Sequence, residues 1–349
     1  VQVSLVADGI PVARVSERIG FRDLTAVGDQ LFLNSQPIQI RGVLSWGWEP
    51  DLISPAYSAD LARQEMRRAR ELGFNLIKLC LFVPNQTYYQ IADEEGMLLW
   101  QEWPLWQPEM IPELCETIAA EYAEYTQLTH NHPSVVVYSI GCELCMDVDE
   151  CLMGELNATV RSLVSGVMVC DNSGSGESYE GLDFDFSDFI DYHPYCELHF
   201  FQPLLDNWRR DWQSSRPLIF GEFCDSDTFR DISEIINANN GDKPWWMTTD
   251  NPVTKWRSES QAMLEAQERL KETQKSFSTL ELEQSSYAQS LVERKYILEL
   301  LRRRRGIGGY VITGLRDTPI STSGIWDDLS RSKWSPHELC KVNDEAVLC

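Results

Sequence analysis

VVVYSIGCELC, residues 135–145, runs apolar from Val135 to Ile140, stops at Gly141, and then presents Cys142 and Glu143. An apolar run of this length reads as a strand buried on both faces, as strands are in a parallel sheet covered by helices. Such strands ordinarily end in polar turn residues. A carboxylate at the tip of one raises the question of a partner carboxylate elsewhere in the chain.

Outward from this strand the elements alternate. Before it lie a strand at 37–44, PIQIRGVL, and a helix over DLARQEMRRARELG, in which Ala62, Met66, Ala69 and Leu72 mark one face before Gly73. Strand 74–82, helix 85–96, strand 97–102 and helix 112–129 lead into it. After it come helix 149–165, a short strand at 167–170 and a Gly- and Ser-rich loop, NSGSGESYEG. Strand 188–195, helix ELHFFQPLLDNWRRDW and strand 217–223 follow, then a long insertion at about 224–260, helices up to RRRRG, and strand 309–315. Eight strands, each but the last followed by helix or long loop, imply right-handed crossovers and a parallel sheet. Spread over most of the chain, they predict an α/β fold of the (β/α)8 TIM barrel type rather than an open doubly wound sheet. No GxGxxG or GxxxxGK[ST] follows any strand, so a nucleotide site lacks its fingerprint.

In such a barrel the chemistry sits at the C-terminal strand ends. The strand at 217–223 ends in FGEF, which sets Glu222 at the level of Glu143, one from the seventh strand and one from the fourth. Two converging carboxylates suit glycoside hydrolysis. One protonates the leaving oxygen while the other attacks the anomeric carbon or activates water; a gap of about 5–5.5 Å means retention, a wider one inversion. Their surroundings then have to split their pKa values. Unrelated surface or ion-paired glutamates are the plainer alternative, and the small residues ahead of each, Gly141-Cys142 and Gly221, speak against it.

Composition bounds the partners. A net charge of −24 argues against nucleic acid, whose phosphates it would repel. No apolar stretch approaches the roughly 18–20 residues that span a bilayer, so a soluble chain without a membrane partner is expected. The ten cysteines are irregularly spaced, and Cys80 and Cys170 sit in apolar runs. Free thiols in a reducing, cytoplasmic compartment are the expectation, not a disulfide framework. The chain opens on Val1 without an initiator methionine, which leaves an export signal open.

The text RIGFRDLTAVGDQLFLNSQPIQIRGV resembles the junction leading into the catalytic barrel of glycoside hydrolase family 2, the clan-A family of β-galactosidases, β-mannosidases and β-glucuronidases. The resemblance continues in order through ELGFNLIKL, YYQIADEEGMLLWQEWP and NHPSVVVYSIGCE to RPLIFGEF, and more loosely from GYVITGLRDTP to the end. It implies a retaining mechanism on a β-linked sugar, with Glu143 as acid/base and Glu222 as nucleophile. It also implies that residues 1–20 look like the last strand of a preceding sandwich domain, with 1–30 as remnant and junction and 31–349 as the barrel. Three departures open the question of substrate. The family's usual Asn before the acid/base, which bonds the sugar 2-hydroxyl, is Cys142; its usual Arg at the second strand end is Lys78; and the polar residue expected two positions on is Cys80. A thiol is a weak donor, and an ammonium lacks the guanidinium fork.

At the rim, His193 and Tyr195 end the sixth strand, and the resemblance implies a tyrosine near there touching the nucleophile. Glu102 and Trp103 end the third strand, Trp46 and Trp48 follow the first, Trp245 and Trp246 lie in the insertion, and Trp326 follows the last. Sugars stack their C–H faces on aromatic rings, so these are substrate-binding candidates, although tryptophan is as often packed inside. His130-x-His132 and Cys142-x-x-Cys145 look like a zinc set, but the strand between them separates the pairs by roughly 30 Å at about 3.3 Å per residue. Two-carboxylate hydrolysis needs neither metal nor cofactor. Arg302–Arg305 before Gly306 reads as a helix end and its cap. The rival readings are a carbohydrate-binding barrel without catalysis and a transglycosylase using the same pair; a homo-oligomer stays open.

Overall fold

The structure, a computed structural model, describes residues 1–50, 52, 54–107, 111–145, 148–174, 184–208, 216–247, 265–266, 268–269 and 277–347. The insertion beyond residue 247 and the end of the helix expected over 197–212 lie outside them.

Two short antiparallel units come first. Strands β1 (Gln2–Ala7) and β2 (Ile10–Ser16) form a hairpin where the sequence reading has one strand. Asp8 and Gly9 both take positive φ, 51° and 79°, as a two-residue turn matching strand twist requires. Strands β3 (Leu24–Val27), β4 (Gln30–Leu33) and β5 (Gln36–Ile38) form a meander. Leu24 and Leu31 of this meander are buried against Ile40, Leu76 and Val136, so it stoppers one end of the barrel.

The barrel follows. Its strands are β6 (Ile40–Ser45), β7 (Leu76–Leu79), β8 (Leu98–Glu102), β9 (Val135–Cys142), β10 (Met168–Ser173), β11 (Ile190–Tyr192), β12 (Leu218–Phe223) and β13 (Ile307–Ile312). All pair in parallel, and β13 returns to β6 through Gly309↔Ile40. Helices α1 (Ala59–Glu71), α2 (Gln86–Glu95), α3 (Pro112–Thr129), α4 (Glu150–Leu163), α5 (Leu198–Trp208), α6 (Ile232–Ala238), α7 (Thr279–Arg302) and α8 (Pro336–Asn343) are joined to them. Every residue of β9 is buried. Val137 packs inside the barrel with Trp100 and Ile219, while Tyr138 and Ile140 join the layer beneath the helices. That two-sided burial is why the strand is apolar throughout.

Between β10 and β11 no regular ladder forms, and side chains close the seam. The Asp188 carboxylate accepts from Val169 N at 2.7 Å while Asp188 N donates back to Val169 O at 2.9 Å. Higher up, Asp191 accepts from Gly174 N at 3.2 Å and from Gly221 N at 2.6 Å, bridging β10 to β12 across β11. β10 itself runs three residues past the expected strand, through Asn172 and Ser173.

The remaining expectations fall as follows. The nine described cysteines are free thiols. No described helix is long and apolar enough to cross a membrane. α7 ends at Arg302 with Arg303 as its cap, and Arg304 donates to Leu300 O at 2.9 Å, so the arginine run closes a helix; Gly306, at φ 86°, lies beyond the cap, just ahead of β13.

Candidate active site

Glu222 stands at the tip of β12, almost wholly buried. Its Oε1 lies 2.9 Å from Lys78 Nζ and accepts from the Cys80 thiol at 3.5 Å; its Oε2 accepts from Tyr195 OH at 2.8 Å. Lys78, completely buried in β7, also lies 2.9 Å from Oε2 of Glu102 and donates to Ser173 Oγ at 2.8 Å. Trp100 supports it from below, ring centre 5.1 Å from Nζ. The glycine ahead of Glu222 has a steric reason: a Cβ on Gly221 would run into the Asp191 carboxylate.

Glu143 follows β9 directly, in a left-handed turn with φ 51°, a conformation that costs a non-glycine residue roughly 1–3 kcal/mol and collects at functional sites. The end of β10 holds that turn. Glu143 N donates to Ser173 O at 2.8 Å, and the Asn172 amide clamps Leu144 on both sides, at 2.9 and 3.3 Å. The carboxylate leans on His193, with Oε1 2.8 Å from Nδ1, and accepts from Trp106 Nε1 at 3.1 Å through Oε2. His193 Nδ1 is also 3.8 Å from Glu222 Oε2. Summing the two distances from Nδ1 holds the nearest oxygens of the two glutamates within about 6.6 Å of each other, the lower edge of the inverting range at most.

The charges sort themselves. Burial pushes the Glu222 carboxyl up, but the His193 and Lys78 charges outweigh it and hold it at about 2. Burial likewise opposes ionisation of Glu143, yet the hydrogen bond and charge of His193 keep it below its ordinary value. Burial raises the Glu102 carboxyl above its ordinary value in spite of Lys78, whereas Glu222 on the same ammonium is lowered. His193, which burial would discharge, is pushed up to about 10 by Glu222 and Asp191.

No family model matches the chain. It is 22% identical over 273 residues to a β-galactosidase from Vibrio cholerae, covering 72% of this chain and 26% of that protein. It is 27% identical over 145 residues to a putative β-glucuronidase from Formosa agariphila, covering 41% and 18%. Among solved structures, a β-glucuronidase from Ruminococcus gnavus superposes with a TM-score of 0.70 at 15% identity over 97% of this chain and 56% of that one. A family 2 β-galacturonidase from Eisenbergiella tayi, bound to galacturonate, superposes with a TM-score of 0.69 at 16% identity over 95% and 56%. The fold is the (β/α)8 barrel that these glycosidases share. The chain spans about a quarter or less of the curated relatives and just over half of the solved ones.

Around the mouth of this barrel the rim candidates divide. Trp46 and Trp245 are exposed and, with Trp48 and Trp246, line a cavity of about 630 Å³ that reaches Tyr195 and Thr313, whose hydroxyls lie 3.2 Å apart. Lys78, Glu102, Cys142, His193 and Tyr195 converge beneath or beside the two glutamates. Trp103 does not. It is fully buried between Tyr122, Tyr125 and Tyr138 on the helix side, with no face for a sugar. Trp326 is likewise buried, with the guanidinium groups of Arg68 and Arg316 4.2 and 5.5 Å from its ring centre. Three residues that sequence reasoning passed over belong to the site: Ser173, Asp191 and Trp106.

Among the described residues two donor sets lie close enough to ligate a cation, Cys80-Glu102-Glu222 and Cys142-Glu143-His193, each within 4.8 Å. The Lys78 ammonium already provides the positive charge of the first, and His193 is spent on Glu143 in the second. His132, by contrast, bonds Asp93 at 2.7 Å at the far end of β9, so the histidine and cysteine pairs share no site.

Proposed function

We propose that the chain is the catalytic barrel of a β-glycoside hydrolase that works with retention. The observation that carries this reading is the placement of two carboxylates on one buried imidazole, within about 6.6 Å, a span that includes the roughly 5–5.5 Å of retaining enzymes. Glu222, ionised and aimed by Lys78 and Tyr195, attacks the anomeric carbon and forms the glycosyl ester. Glu143 protonates the departing oxygen, then takes a proton from the water that hydrolyses the ester. Cys142 is buried beside Glu143, and the Trp46–Trp245 cavity, whose wall includes the Tyr195 that bonds Glu222, suits a sugar ring.

The names of the relatives put β-galactosides and β-uronides first in a substrate panel. The test is incubation with 2-deoxy-2-fluoro glycosides bearing a good leaving group, followed by intact mass and peptide mapping. A sugar adduct on Glu222, absent from Glu222→Gln, is the expected result. Binding with neither adduct nor turnover across the panel would favour a carbohydrate-binding barrel, and alkyl glycoside products formed with added alcohols a transglycosylase.

A further inference from the structure

We propose that the proton spent by the Glu143 acid is stored on His193, so that the two side chains form one proton-carrying pair; the use of that proton rests on the hydrolase reading above, its location does not. The hydrogen-bond count carries the argument. Ser173 Oγ has one hydrogen and two lone pairs. It lies 2.7 Å from Asp191 Oδ2, which as a carboxylate only accepts, so the hydroxyl hydrogen points there. Lys78 Nζ, a pure donor, takes one lone pair at 2.8 Å. The remaining contact, His193 Nε2 at 3.0 Å, is therefore a donation from the ring, and Nε2 carries a proton.

That leaves Nδ1, 2.8 Å from Glu143 Oε1. One proton lies between these atoms, and it belongs to an imidazolium facing a carboxylate or to a neutral ring facing a carboxylic acid. The surroundings choose the first. The imidazole is fully buried, and it faces Glu143 from β9, Asp191 from its own strand and Glu222 from β12. Cys142 lies beside it with a thiol that burial keeps protonated, Tyr195 stands 6.4 Å from it ring to ring, and among the described residues Lys78 is the nearby cation, already shared between Glu102 and Glu222. Oε2 of Glu143 accepts from Trp106, as an ionised carboxylate should.

In the reaction the N–H bond at Nδ1 breaks and an O–H bond forms on Glu143, leaving a neutral ring. That O–H bond then breaks as the leaving oxygen takes the proton. When Glu143 later deprotonates the attacking water, the proton returns to Nδ1 and the pair is restored. His193 acts through Glu143 and is a positioning residue, not an acid that meets the substrate.

The location is tested by nitrogen NMR on protein labelled with 15N-histidine, without substrate. An ordinary imidazole is neutral at about pH 8. The expected result is one ring still protonated at both nitrogens there, missing from His193→Gln and losing its proton at lower pH in Glu143→Gln. If every ring of the wild type is singly protonated at about pH 8, the proposal is overturned, whether or not either variant folds. The use is tested by the pH dependence of kcat/KM on aryl β-glycosides. His193→Gln should pull the alkaline limb down by more than a unit and cost about 100-fold or more on poor leaving groups, but under about 10-fold on dinitrophenyl glycosides, which depart without a proton. An unchanged limb overturns the storage role. A doubly protonated ring in a protein with no turnover or adduct at all instead sinks the hydrolase reading.

Discussion

The two mouths of the barrel are made from the same eight strands and are built on opposite terms. At the N-terminal mouth Leu24 and Leu31, with Leu33 and Ile38 beside them, press on Ile40, Leu76 and Val136. At the C-terminal mouth Lys78, Glu102, Asp191, His193 and Glu222 are each at most 3% exposed. Apolar burial stabilises by itself, at about 25 cal/mol per Å². Buried charges cost several kcal/mol each to desolvate, and only mutual pairing offsets that cost. One end holds the barrel together; the other is held together so that it can act.

The largest contrast is expected from Glu222→Gln. It should abolish turnover of every glycoside the wild type cleaves, read as steady-state rates, while the barrel stays folded by circular dichroism. The wild type itself sharpens this with pH. Since kcat/KM reports the free enzyme, and Glu222 titrates at about 2 there, the acid limb should lie below the ordinary carboxylate range. A depressed carboxylate stabilises above its unfolded value of about 4.3, and that contribution is lost as pH falls through about 2.

Lys78→Met should come next. It strips the ammonium from two carboxylates at once, and breaking a buried pair costs about 3–5 kcal/mol. Urea titration reads the loss, and the acid limb of any remaining activity should move up. Leu31→Ala is the matching cut at the other mouth. A buried leucine truncated to alanine costs about 2–5 kcal/mol, yet kcat/KM should stay within about two-fold, because Leu31 touches only the floor side of the barrel. Equal losses of activity from the two variants would erase the division between the ends.

How much of this was legible in the sequence follows the same division. The apolar runs announced the strands, and the glutamates stood out because they break off VVVYSIGC and LIFG at the same height. Ser173 and Asp191 did not stand out. Polar residues in a strand that is buried by charge rather than by apolar packing look like loop, so β10 was read as stopping at Cys170. Lys78 was visible as a departure from the family pattern, but its second partner, Glu102, follows only from neighbouring strands facing one interior. Tryptophan was the poorest guide. Trp103 and Trp46 both follow strand tips, and only the packing of Tyr122 and Tyr125 puts the first inside while the second stays 41% exposed. The hairpin at the start was legible and missed, since Asp8-Gly9 between two apolar stretches is a turn signal.

The smallest effect is expected from Trp46→Ala, and it tests whether the aromatic cavity belongs to the working end. An exposed ring makes few contacts that folding depends on, so stability should change by less than about 0.5 kcal/mol. If the cavity takes the glycone side of the substrate, losing one stacking face should raise KM several-fold and leave kcat nearly untouched, since the face binds ground state and transition state alike. A fall in kcat with KM unchanged would instead tie Trp46 to the nucleophile, through Tyr195 and Thr313 on the same cavity wall. No change in either would leave the cavity outside the reaction and confine the working end to the charged residues beneath it.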